Sequence, residues 1–294
     1  MISLLDALEL IGLPVLLACV VLVQGWWSGP RPWHAKPPAW PFPLALGLAA
    51  LLAFVLFKVT LNPGKPVLKF PLTGVDWLAP SILAATVLGM TIRLFPLKKK
   101  IRFVPEFTLA FIAGFAMDFP GQDHIFTRLA IGIGVFLATA AGRTALLRRP
   151  AVQLPILGWM SLGTLALLMR PWAFGNVHLS LFIVAASMTC GALAVVTIFR
   201  SPSSLGIGGH LVIGFLVAST AACAAAYVTP EHGVVVPWAL PVLAFPAAAL
   251  GRALAPTDQE WKSVLFGLAS AALCCLAAIA WMWLQVPAPE TAWP

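Results

Sequence analysis

The stretch LSLFIVAASMTCGALAVVTIF, residues 179–199, carries no charged side chain from one end to the other. A helix needs about 20 consecutive apolar residues to cross the roughly 30 Å hydrocarbon core of a bilayer, and this stretch supplies them. Runs of the same kind recur on both sides of it. Hydropathy, with Pro, Gly, Trp and charged residues as punctuation, predicts ten membrane-spanning helices at residues 4–23, 43–61, 77–94, 104–119, 125–147, 153–169, 179–199, 211–228, 234–254 and 263–286.

Composition agrees with this reading. Of 294 residues, 61% are hydrophobic and only 10% are charged, and the mean hydropathy is +0.96. A soluble domain would carry roughly 25% charged residues. Lipid must therefore be the solvent for most of the surface, which excludes a soluble enzyme, a secreted disulfide scaffold, a disordered chain and a coiled coil. Ten spans use roughly 200 residues, so the connections are short and no soluble domain fits between them. The expected fold is an all-α integral membrane protein, a polytopic bundle of about ten helices forming a single transmembrane domain.

Basic residues predict the orientation. The connections after spans one, three, five, seven and nine, with the adjoining span ends, hold Arg31, Lys36, Arg93, Lys98, Lys99, Lys100, Arg102, Arg143, Arg148, Arg149, Arg200, Arg252 and Lys262. The opposite side holds Lys58, Lys65, Lys69, Arg128 and Arg170. Short loops rich in Lys and Arg stay cytoplasmic, so both termini are expected outside, in a bacterial-type inner membrane. The acids Asp6, Glu9, Asp76, Asp118, Asp123, Glu231 and Glu290 fall on the outer side by this scheme. The N-terminal stretch has acids and no basic n-region, so the first helix reads as retained rather than as a cleaved signal. Trp26, Trp27, Trp33, Trp40, Trp77, Trp172, Trp261, Trp281 and Trp283 lie near span ends, as an interfacial aromatic belt requires. All five cysteines lie in apolar runs and read as packing residues.

Small residues at four-residue spacing mark helix contacts. Gly134, Ala138 and Gly142 form one such ladder, Gly214, Ala218, Ala222 and Ala226 another, with Ser187 and Gly191, and Ala247 and Gly251, as shorter pairs. A weak internal echo joins the endings of spans three, five and nine, Ala-Ala-Thr-Val-Leu-Gly-Met-Thr-Ile-Arg at 84–93, Ala-Thr-Ala-Ala-Gly-Arg at 138–143 and Ala-Ala-Ala-Leu-Gly-Arg at 247–252, a pattern that a small-residue helix followed by a cytoplasmic Arg also produces by itself.

The most informative polar residues surround span four, which is short and ends at Pro120 and Gly121. Glu106 lies at its cytoplasmic start, and Asp118, Asp123, His124 and Arg128 follow its other end. Short, Pro/Gly-interrupted segments with ionisable groups are where transporters place substrate or ion sites. These five residues are the candidate substrate or ion path, with an ordinary outer loop of solvated charges as the alternative. Lys98, Lys99, Lys100 and Arg102 are placed to meet anionic lipid headgroups. His178 and His210 lie at span ends, the latter in a Gly-Ile-Gly-Gly-His turn, and Lys58 and Arg170 are expected to snorkel.

Catalytic signatures are missing: there is no Gly-x-Ser-x-Gly elbow, phosphate-loop lysine motif or His-Glu-x-x-His. No spacing predicts a metal site or a cofactor, and the formal net charge of +8 lies in loops that need no nucleic acid. The expected partners are membrane lipids, with further membrane subunits or self-association as an option. The expected function is a transporter or permease for a small solute or ion. A non-catalytic subunit of a larger membrane assembly is the alternative, and an intramembrane enzyme acting on lipid-linked substrates, using Asp118, Asp123 and His124, is a third.

Overall fold

The computed structural model describes residues 4–27, 40–61, 74–92, 103–116, 125–146, 152–169, 177–199, 208–232, 236–255 and 260–285, and these are helical almost throughout. In chain order the helices are α1 (Leu4–Trp27), α2 (Pro41–Leu61), α3 (Leu78–Thr91), α4 (Val104–Phe111), α5 (Ile125–Leu146), α6 (Gln153–Met169), α7 (Val177–Phe199), α8 (Gly209–His232), α9 (Val236–Leu254) and α10 (Glu260–Gln285). A 3-10 turn at Gly74–Trp77 leads into α3, and a π-helical turn at Ile112–Ala116 continues α4. The all-α expectation holds. Seven of these helices, α1, α2, α5, α7, α8, α9 and α10, are long and apolar enough to cross a bilayer. They make the chain an integral membrane protein. The helices α3, α4 and α6 are apolar but shorter.

Prolines sit where a missing N–H is harmless, at the first position of α2 and in the first turn of α4. Those inside α1 (Pro14) and α9 (Pro241, Pro246) are of the kind that neighbouring helices make tolerable in lipid. Four buried hydroxyls are satisfied within their own helices: Thr86, Thr139, Thr189 and Ser219 each donate to the carbonyl four residues back, at 2.7–2.8 Å.

The centre of the bundle is α8. Of Gly209–Ala226, 83% is buried, against 28% of the corresponding windows of α1 and α5. Around α8 pack α2, α3, α4, α5, α6 and α9. The rim faces outward with large apolar side chains, including Phe126, Leu254, Trp283 and Leu284, each at least 80% exposed. Water would not tolerate so continuous a surface; hydrocarbon does.

Close approach through small residues sets the helix positions. A Cβ on Gly214 of α8 would lie 2.8 Å from the backbone nitrogen and Cα of Thr139 on α5, so only glycine lets these two backbones meet. A Cβ on Gly89, near the end of α3, would lie 2.8 Å from the carbonyl oxygen of Gly208, just ahead of α8. This second contact also places the end of α3 level with the start of α8. The helices run up and down, so that one end of the bundle gathers the starts of α4, α6 and α8 and the ends of α3, α5 and α9.

A buried charged cluster as the candidate functional site

The helix α4 opens Val-Pro-Glu, with proline in its first turn and Glu106 where unpaired backbone N–H groups and the positive end of the helix dipole favour a carboxylate. Arg143 occupies the last turn of α5, where the carbonyl end favours a cation. The two helices are antiparallel and cross at Ala110, Gly114 and Gly132. A Cβ on Gly114 would lie 2.6 Å from the Arg128 carbonyl oxygen, and one on Gly132 would lie 3.1 Å from that of Ala110. This crossing carries the start of α4 to the end of α5, where Arg143 Nη2 donates to Glu106 Oε1 in a close ion pair.

A third helix completes the cluster. His210, in the first turn of α8, brings its Nε2 to 3.3 Å from the same carboxylate oxygen. Arg143 also lies over the Phe103 ring, its guanidinium carbon 5.0 Å from the centroid. The side chains of Glu106 and His210 are completely buried, and that of Arg143 keeps 16% exposure. Glu106 Oε2 is buried with no hydrogen-bond partner among the described residues.

The cluster is thus lopsided. One carboxylate oxygen faces both Arg143 and His210, and the other meets no donor among the described residues. Such a group can accept a further donor or exchange one partner for another without leaving its place. Taking charges out of water costs several kcal/mol per ion, offset only where geometry and hydrogen bonding are good. Ionisable groups that persist inside a membrane bundle therefore tend to mark substrate or ion pathways. The π-helical turn lies at the other end of α4, against Arg128 and Gly132 of α5, away from the cluster.

Of the sequence-predicted site residues, Glu106 stands at the heart of this cluster. Arg128 does not join it: it lies in the first turn of α5, fifteen positions before Arg143, a separation of about 22 Å along the helix. Asp118, Asp123 and His124 lie outside the described residues, as do Lys98, Lys99, Lys100, Arg102 and Arg170. His210 stands at the start of α8, the span end expected of it, and is fully buried there. Lys58, expected to snorkel, is ion-paired with Asp76 of the 3-10 turn and stands 5.7 Å over the Phe54 ring. That pair lies where α2 ends and α3 begins, opposite to the Glu106 cluster. Beside it Phe54, Phe57, Val75, Leu179 and Phe182 line a recess of about 10 Å³, room for one water molecule.

By sequence Arg143 marks sidedness and ends the echo at 138–143, and neither makes it a site residue. A signal was available: a carboxylate in an apolar helix start needs a partner, and Arg143 and His210 lie on its side of the membrane in the span assignment. Choosing those two among the other basic groups needed the helix contacts. Among the described residues no three His, Cys, Asp or Glu side chains converge on a metal-sized space. Compared with known proteins, the chain matches no protein-family model and none of the curated proteins.

Proposed function

We propose that this chain is a polytopic transporter or permease for a small solute or ion, with the Glu106–Arg143–His210 cluster as its functional centre. The observation that carries the reading is a fully buried carboxylate on α4 that meets basic side chains of α5 and α8 in a largely apolar bundle. The proposed topology is ten spans with both termini outside, in a bacterial-type inner membrane. It is supported by the thirteen basic residues on one side and by the up-and-down helix order. In that frame the Glu106 cluster lies at the inner end and the Lys58–Asp76 pair at the outer end. The shorter helices α3, α4 and α6 then span with the help of their flanking segments and local bilayer thinning.

Passage requires the cluster to open, because the described bundle encloses it. Arg143 is the member able to move, since it ends α5 and already reaches the surface. The test is solid-supported-membrane electrophysiology on proteoliposomes, with amino acids, organic acids, sugars, nucleosides and monovalent ions applied in turn. A current in the wild-type protein that Glu106→Gln abolishes, with monodisperse elution retained, is the expected result. A current unchanged in Glu106→Gln removes the proposed centre, and no current with any solute removes the transporter reading.

The enclosure of the cluster favours a second reading, in which it locks helix packing in a non-catalytic subunit of a larger membrane assembly. Purification in mild detergent separates the two. Stoichiometric co-purifying subunits favour the assembly, and a lone monodisperse species counts against it.

A further inference from the structure

The inner end of the bundle holds another buried polar group that the Glu106 cluster does not use. Gly142 marks a point where α5, α6, α8 and α9 converge. A Cβ there would lie 3.2 Å from His210 Cβ, 3.5 Å from Leu154 Cδ1 and 3.6 Å from Phe245 Cδ1. Leu154 follows Gln153, the first residue of α6. The opening of this helix lies wholly inside the protein, with Gln153 and Leu154 completely buried and Val152 and Pro155 buried beside them.

Both the nitrogen and the oxygen of the Gln153 amide are buried with no hydrogen-bond partner among the described residues. Native proteins rarely leave such groups unmet, because each costs the full desolvation of a polar atom. The amide lies beside the stem of a basic side chain: a Cβ on Gly267 of α10 would lie 2.6 Å from Gln153 Nε2 and 2.7 Å from Arg252 Cγ, so the two side chains share one contact point. Polar groups of three kinds therefore lie near the start of α6. They are the amide of Gln153, the side chain of Arg252 whose Cγ stands beside that amide, and the first-turn backbone N–H groups at the positive end of the helix dipole.

We propose that the buried start of α6 binds an oxyanion, a carboxylate or a phosphate group, held by the Gln153 amide and Arg252. A helix N-terminus is suited to such a group. The excess of basic over acidic residues assigned to this side of the membrane draws anions to it. Resting on the transporter reading, the site makes the substrate a small organic anion. The same chemistry is offered by the headgroup of an anionic lipid.

The experiment is thermal unfolding of the full-length protein in zwitterionic nanodiscs, titrated with inorganic phosphate or succinate against chloride at matched ionic strength, and repeated in nanodiscs containing phosphatidylglycerol. A concentration-dependent rise in Tm with phosphate or succinate supports a soluble oxyanion. A rise with phosphatidylglycerol alone supports a headgroup as the source. In either case Gln153→Leu should weaken binding roughly ten- to a hundredfold, the loss of a hydrogen bond to a charged group. Its ligand-free Tm should be no lower than that of the wild type, because leucine removes the unmet amide without opening a large void. Arg252→Gln should weaken binding and flatten its salt dependence. No rise with any probe, or a rise unaltered in Gln153→Leu, overturns the site. Oxyanion binding without solute flux would remove the transporter reading alone, and flux indifferent to Gln153→Leu would remove this site alone.

Discussion

Replacing Arg143 by leucine and, separately, Glu106 by leucine should destabilise the protein unequally. In Arg143→Leu the Glu106 carboxylate remains at the start of α4 with a completely buried side chain, and of the described residues His210, 3.3 Å away, is left facing it. It has no route to water, and stranding a buried charge costs about 3–5 kcal/mol. In Glu106→Leu the stranded group is Arg143, which sits in the last turn of α5 with 16% of its side chain already exposed. Its long stem lets the guanidinium turn toward the headgroups, so the loss should be about 1–3 kcal/mol. The gap of about 2 kcal/mol is roughly thirtyfold in the unfolding equilibrium. The double variant, with both charges replaced by apolar side chains, should return to within about 1 kcal/mol of the wild type. Reversible unfolding in mixed micelles, followed by tryptophan fluorescence, measures all four proteins. Equal losses in the two single variants, or a double variant as damaged as Arg143→Leu, would refute the account of the cluster as a buried carboxylate held by a mobile arginine.

Two further outcomes follow from the packing. Gly214→Ala forces a methyl group to 2.8 Å from the Thr139 backbone and should cost about 1–3 kcal/mol by thermal unfolding. Gly134→Ala on α5, whose methyl would meet Val242 at an ordinary 3.8 Å, should be close to neutral; equal effects would deny the close α5–α8 contact. A lipid-soluble maleimide should modify Cys19 and Cys274, which are partly exposed, and spare the buried Cys190 and Cys223 until the protein is unfolded. Mass spectrometry reads the difference, and labelling of Cys223 in the folded protein would contradict the central place of α8.

The membrane class and the positions of the helices were legible because they depend on local composition. An uncharged run long enough for a bilayer has few other ways to satisfy its backbone. The spans read from sequence coincide with ten helices to within a few residues at most ends, and the small-residue ladders found real contacts, as with Gly214 against α5 and Gly142 beside His210. The candidate site was half legible. Glu106 stood out as an acid in an apolar setting, but its grouping with Arg128 followed nearness to span four in sequence, and the helical rise separates the two by about 22 Å.

What the sequence determined alone was the solvent: 61% hydrophobic residues and 10% charged demand lipid around the chain, whatever the order of the helices. What only the tertiary structure decided was which few charges meet. Glu106, Arg143 and His210 come together because glycines let α4, α5 and α8 approach closely, and pairing across 37 and 104 positions leaves no mark in local periodicity. The interaction energy of buried charges depends on distance and burial, and both are properties of the folded bundle rather than of any stretch within it.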